Sequence, residues 1–422
     1  MAAEGRSYCL EALIVALNQD CGGQHNRWYT STLELQLVSL AFCGECRSVP
    51  TLHVHIGEAT PSSLWSHHES HKTPDECSRE DNISSRVPAV EAFSWTWAFE
   101  IPEEALLQRS TAFAACLASA LWPQTLKRLV FDSNMPVDTA LWPASLQQIS
   151  FGYGFDKPIV DVVWPASLQQ LSLGDSFDQP IVGAVLPGSL QRLSFGVCFN
   201  QPIVGAVLPA SLQQLSFGQS FNQPIAGAVL PASLQQLSFG KFFNQPIVYV
   251  VWPASLQQLS FGQRFNQPIA RVVWPDSLQR LSFGPFLNEP IVGVVWPASL
   301  QQLSLGNSFN QPIVGVVWPD SLQQLSFGNS FNRPIIGVVW PDSLQKLSFG
   351  SDFNQPIVGV VWPDSLQTLL FQGRFNQPVV GVVWPTSLQH LELRVAFKQS
   401  LAEVVWPTSL RSLICYGRRR ML

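Results

Sequence analysis

The sequence predicts a mainly β solenoid, built from 22-residue repeats with a parallel β-sheet on one face and little helix. Two observations carry that prediction. A Trp-Pro or Leu-Pro step recurs thirteen times, from Pro143 to Pro407, at a spacing of 22 residues. Between the steps, a sequence close to FNQPIVGVVWPASLQQLSFG returns almost unchanged. A unit this short cannot bury its own apolar face, so self-similarity at this period means units that stack and share one core. Composition agrees: 46% of the residues are hydrophobic and 13% charged, which is ample for a continuous core and too apolar for a disordered chain.

Three segments follow in order. Residues 1–101 show no trace of the repeat and hold six of the seven histidines. Their middle, Gly57 to Pro88, is rich in Ser, His and Glu and reads as an irregular or partly disordered leader. Residues 102–122 open with Pro102-Glu103-Glu104, and proline with acids suits a first helical turn. They are expected to form a capping helix or a degenerate repeat over the first exposed rung. Residues 123–422 form the array.

Within a unit, Leu212-Gln-Gln-Leu215-Ser-Phe217-Gly218 alternates in the period of a strand. Leu215 and Phe217 then face the core, while Gln214, Ser216 and Gly218 face outward. The return half, Pro224 to Pro231, holds two prolines and a glycine, which rules out a regular helix. Trp252 in one unit is Leu230 in the unit before it. Interchange of large apolar residues at a fixed place marks a core site. An asparagine column (Asn200, Asn222, Asn244, Asn266, Asn288, Asn310, Asn332, Asn354 and Asn376) should form a ladder over the bend, bonding backbone groups left unpaired there. Asp156 and Asp178 replace it early and Lys398 late, as terminal units are commonly atypical. The closing Arg418-Arg419-Arg420 reads as a frayed, charged end that discourages edge pairing.

These residues carry a resemblance. Phe221-Asn222-Gln223-Pro224-Ile225, followed by small residues, a proline and SLQQLSFG, resembles the FNIP repeat, a relative of the leucine-rich repeats, from Pro123 to Cys415. The resemblance implies a leucine-rich-repeat-like solenoid that binds proteins and has no activity of its own. Some proteins of this kind join the repeats to an F-box or a kinase domain. The tryptophan before the second proline departs from the commoner leucine, and no F-box pattern is evident in the leader.

Chemistry finds little purchase. Cys43-Gly-Glu-Cys46, with His53 and His55, offers zinc-ligand types but lacks the second tight pair of a structural site, so these are weak metal candidates and no cofactor is expected. The serine column is the same in unit after unit, and His390 is the one histidine within the array, so no enzyme is expected. A net charge of −5 and scattered Lys and Arg argue against nucleic acid. No stretch is long and apolar enough for a membrane helix. The scattered cysteines suit a reducing, cytoplasmic setting.

What varies is the pair of residues after each glycine: Gln219-Ser220, Lys241-Phe242, Gln263-Arg264, Pro285-Phe286 and Ser351-Asp352. Gln219, Lys241, Phe242, Arg264, Phe286 and Arg374 are the candidate binding residues on that rim, since aromatic and arginine side chains are favoured at interaction centres. The expected function is a scaffold for protein partners. The alternatives are a substrate-recognition subunit of a ubiquitin ligase, docked through a divergent leader, and a structural rod that self-associates through its terminal repeats.

Overall fold

The computed structural model describes residues 126–415 except 133, 135 and 395, together with the backbone of four strands, Leu33–Gln36, Thr51–His55, Ala92–Thr96 and Arg418–Arg420. The leader's remaining residues, Cys43 and Cys46 among them, and the expected capping segment 102–122 lie outside the described residues. The chain divides into two compact units: residues 1–177 with 185–190, and residues 178–184 with 191–422.

The first unit is a sheet that changes sense. Leu33–Gln36, Thr51–His55 and Ala92–Thr96 run antiparallel in sequence, and Ala92–Thr96 then pairs parallel with Arg128–Asp132, setting Phe93 beside Leu129 and Trp95 beside Phe131. Parallel strands Gln148–Phe151 and Gln170–Ser172 follow, with Leu129, Ile149 and Leu171 in line. The strand paired with the first rung is Ala92–Thr96, a pairing that no repeat pattern announces, because the leader shares none of the 22-residue signature.

The second unit is a parallel β solenoid. Eleven strands, from Arg192–Ser194 to Ser412–Cys415, each pair in register with the next, one 22-residue turn apart. Most are only three residues long, as in Gln214–Ser216. A parallel strand needs a crossover, and here the return half supplies it as turns and extended chain, with no helix among the described residues. The final arginines are not a frayed end. Arg418–Arg420 folds back antiparallel on Ser412–Cys415, with Leu413 beside Arg420, and so places a strand of three basic residues on the edge that would otherwise accept another sheet.

Within each turn the strand alternation holds: Leu215 and Phe217 are buried, Gln214 and Ser216 half-buried. Phe221 and Ile225 complete the core from the far side, and Phe221 is wholly inaccessible. The rings of Phe217 and Phe221 stack at 4.0 Å between centroids, and Phe221 stacks on Phe243 of the next turn at 6.0 Å. The tryptophans form their own column, with Trp252 and Trp274 at 6.2 Å and Trp252 7% exposed. Their indole nitrogens, Trp252 Nε1 and Trp318 Nε1 among them, are buried without an acceptor. The column is therefore held by apolar area and ring stacking, not by hydrogen bonding, and leucine can stand in for it in the units around Leu208 and Leu230.

Candidate interaction surface

Four ladders of hydrogen bonds, to backbone and side-chain groups, fix each turn on its neighbours. Beside the strand, Gln235 N and Gln236 N both donate to Gln213 O of the preceding turn, at 2.8 and 3.0 Å. At the asparagine corner, Asn244 N donates to Asn222 Oδ1 at 2.9 Å, and the same bond runs from Asn222 to Asn200 and from Asn376 to Asn354. The side-chain oxygen thus takes up the N–H that the bend turns away from the sheet. Asp178 Oδ1 accepts from Asn200 N at 2.8 Å in the same geometry, and Lys398 N closes the ladder on Asn376 Oδ1.

Two further clamps were not read from the sequence. Gln245 Nε2 donates to Asn222 O at 2.9 Å, so the glutamine that follows most of the asparagines clamps the turn below it, and Arg333 Nε does the same to Asn310 O. Ser233 Oγ donates to Leu212 O at 2.7 Å, and Ser255 repeats the bond on Leu234. Both residues recur in nearly every unit, which was the available signal. The glycine of the strand face has a steric role: a Cβ built on Gly240 would lie 1.8 Å from Gly218 O, and one on Gly262 1.7 Å from Gly240 O. Only glycine fits where successive turns come this close.

The variable rim rests on the fourth ladder. Phe242 N donates to Gln219 O, Arg264 N to Lys241 O and Phe286 N to Gln263 O, at 2.9 to 3.1 Å. The backbone is thus held while the side chains project outward and are free to differ. Gln219, Lys241, Arg264 and Phe286 are exposed, Phe286 to 48%. Three of the rim residues converge: the Arg264 guanidinium lies 4.6 Å from the Phe242 ring centre and Lys241 Nζ lies 5.3 Å from it. Arg374 stands apart, paired with Asp352 of the turn before it at 3.2 Å. That pair is solvated on both sides and contributes little to stability. Of the weak metal candidates, His53 and His55 fall on the strand Thr51–His55, in register with Ser94 and Ala92, while Cys43 and Cys46 lie outside the described residues. Cys198, also on the rim, is an exposed free thiol. Among the described residues no helix is long and apolar enough to cross a membrane.

A model of the FNIP repeat matches residues 155–198, 199–242, 243–286, 288–330 and 331–373, just over half of the chain. The chain belongs to the FNIP-repeat family. The solved structure of CroV588, described as a novel circular leucine-rich-repeat protein, is 41% identical to the FNIP chain over 70% of its length, with a TM-score of 0.62. The match spans 47% of CroV588. An internalin, InlF, from Listeria monocytogenes is 12% identical over 67% of this chain and 83% of that one, with a TM-score of 0.48. Comparison with functionally curated proteins finds no match. The FNIP array is thus a leucine-rich-repeat-like solenoid.

Proposed function

We propose that the FNIP array is a non-enzymatic scaffold that binds a protein partner along its variable rim. The observation that carries this reading is the cluster of Lys241, Phe242 and Arg264, two cations against one ring, held outward on a hydrogen-bonded backbone. Gln219 precedes the cluster and Phe286 follows it on successive turns. Such a strip suits a partner segment with acidic groups and an apolar anchor. The exposed thiol of Cys198 favours a reducing, cytoplasmic setting for this encounter.

The test compares affinity capture by the full chain with capture by a variant in which Lys241, Phe242, Arg264, Phe286 and Arg374 are all alanine, once circular dichroism shows that both fold. A specific partner lost by the variant supports the rim. An unchanged set of partners overturns it. The ligase-subunit reading rests instead on residues 1–101, and recovery of a ligase adaptor by the full chain, but not by a chain lacking those residues, is what it requires.

A further inference from the structure

The return half has a face that the rim reading leaves unused. In the unit Ile313-Val314-Gly315-Val316-Val317, Val316 is buried, yet Val314 is 48% exposed and Val317 80% exposed. From Val292 to Val383, five successive turns each present two branched aliphatic side chains in this way, in two columns. Between the columns run Gly293, Gly315, Gly337, Gly359 and Gly381, all at φ of +82° to +87°. The patch therefore has bare backbone along its middle and no charged residue within its columns. An aliphatic side chain of this size has on the order of 100 Å² to bury, so the patch presents on the order of 500 Å² of apolar side chain. The largest apolar patch on a soluble monomer is about 300–600 Å² and often functional, and a standard interface takes about 800 Å² from each partner.

The run of five glycines is flanked by charge on both sides, and beyond Arg271 and Tyr249 the column resumes at Gly227. Arg271 occupies the glycine position on the turn before Gly293, and Glu403 occupies it on the turn after Gly381. Both are exposed, and each sits in the same turn as the glycines: Val272 N donates to Ile269 O and Val404 N to Leu401 O, as Val338 N does to Ile335 O. Gly337 lies midway, three turns from each. The five-glycine run is thus bounded by a positive and a negative residue, equally far from its centre.

We propose that this face is the contact between two copies of the chain, packed antiparallel about a two-fold axis that crosses the array at Gly337. That axis brings Arg271 of one copy to Glu403 of the other, twice, and lays valine column on valine column. A parallel contact would set Arg271 against Arg271 and Glu403 against Glu403. Arg333 flanks one side of the patch, and Asp320, Asp342 and Asp364 occupy the corner turn on the other. The axis sets Arg333 and Asp342 each against its own copy and Asp320 against Asp364, all at the edge of the contact, where salt and water screen them. The contact uses neither the rim nor the terminal strands, and an isologous two-fold closes at two copies without forming a fibre.

Sedimentation velocity on the full chain, from low micromolar to a few hundred micromolar, tests this. The wild type is expected to form a dimer and no larger species, and Val317→Asp with Val339→Lys to remain monomeric while keeping its circular dichroism. R271E or E403R alone should weaken the dimer about two- to thirtyfold, through two exposed ion pairs lost and replaced by like charges, and the two together should restore it. A wild type that stays monomeric throughout overturns the proposal, including one that binds lipid vesicles instead. So does a dimer indifferent to the valine variant. Failure of the charge swap to restore association overturns the antiparallel arrangement.

Discussion

The strand face and the return face of each turn obey the same alternation and end with opposite surfaces. On the strand face the outward residues are Gln214, Ser216 and Gly218, and Gly218 also lets the next turn close in. On the return face the outward residues are valines, and Val229 is exposed to 78%. The difference teaches where identity between repeats comes from. The glycine that lets turns close in recurs from Gly152 to Gly350, with Gln372 and Arg394 in its place near the end, whereas an exposed valine has no such duty inside a single chain. Its recurrence asks for an explanation outside that chain.

The largest break in this comparison should come from the core that both faces share. Trp318→Ala should cost about 3–5 kcal/mol in denaturant unfolding. Trp318→Leu should cost less than about 1.5 kcal/mol, because the unpartnered indole N–H is removed along with the ring, and leucine already fills this place at Leu230. A leucine variant as damaging as the alanine one would mean that the ring stack, and not filled volume, holds the column.

On the strand face, Gly262→Ala should cost about 1–3 kcal/mol, since its Cβ would meet Gly240 O. A smaller loss would show that successive turns separate easily. At the asparagine corner, Asn222→Ala should cost about 1–2 kcal/mol by orphaning Asn244 N. Asn222→Asp should cost less, as Asp178 makes the same bond to Asn200. The gap between the two variants measures the acceptor alone. The smallest effect belongs to the return face: Val317→Thr should move the unfolding free energy by no more than about 0.5 kcal/mol. A larger loss in dilute protein would mean that Val317 packs within the chain and is not left bare.

The sheet was legible because Leu215 and Phe217 repeat at the period of a strand, and the absence of helix because two prolines interrupt the return half. The asparagine column was legible too, since a polar residue recurring at a bend has backbone groups to satisfy. The exposure of Val317 was not, although three large residues in a row, Val316-Val317-Trp318, cannot all face inward from extended chain. Arg264 and Phe242 were picked out one at a time by their variability. Their meeting on a single ring depends on the register between turns. The glutamine and serine clamps hid within a repeated polar pattern that a solvated surface would show equally well.

By itself, then, the sequence determined the period, the class of fold and the inward residues, because burial of a 22-residue unit has one solution when its neighbours repeat it. Only the tertiary structure decided which outward residues stand together. Lys241, Phe242 and Arg264 meet, and Arg374 turns to Asp352, because lateral contacts form between residues a full turn apart, where the sequence of one unit is silent. The same stacking brings single valines into a continuous apolar face, and sets Arg271 and Glu403 on either side of its run of five glycines.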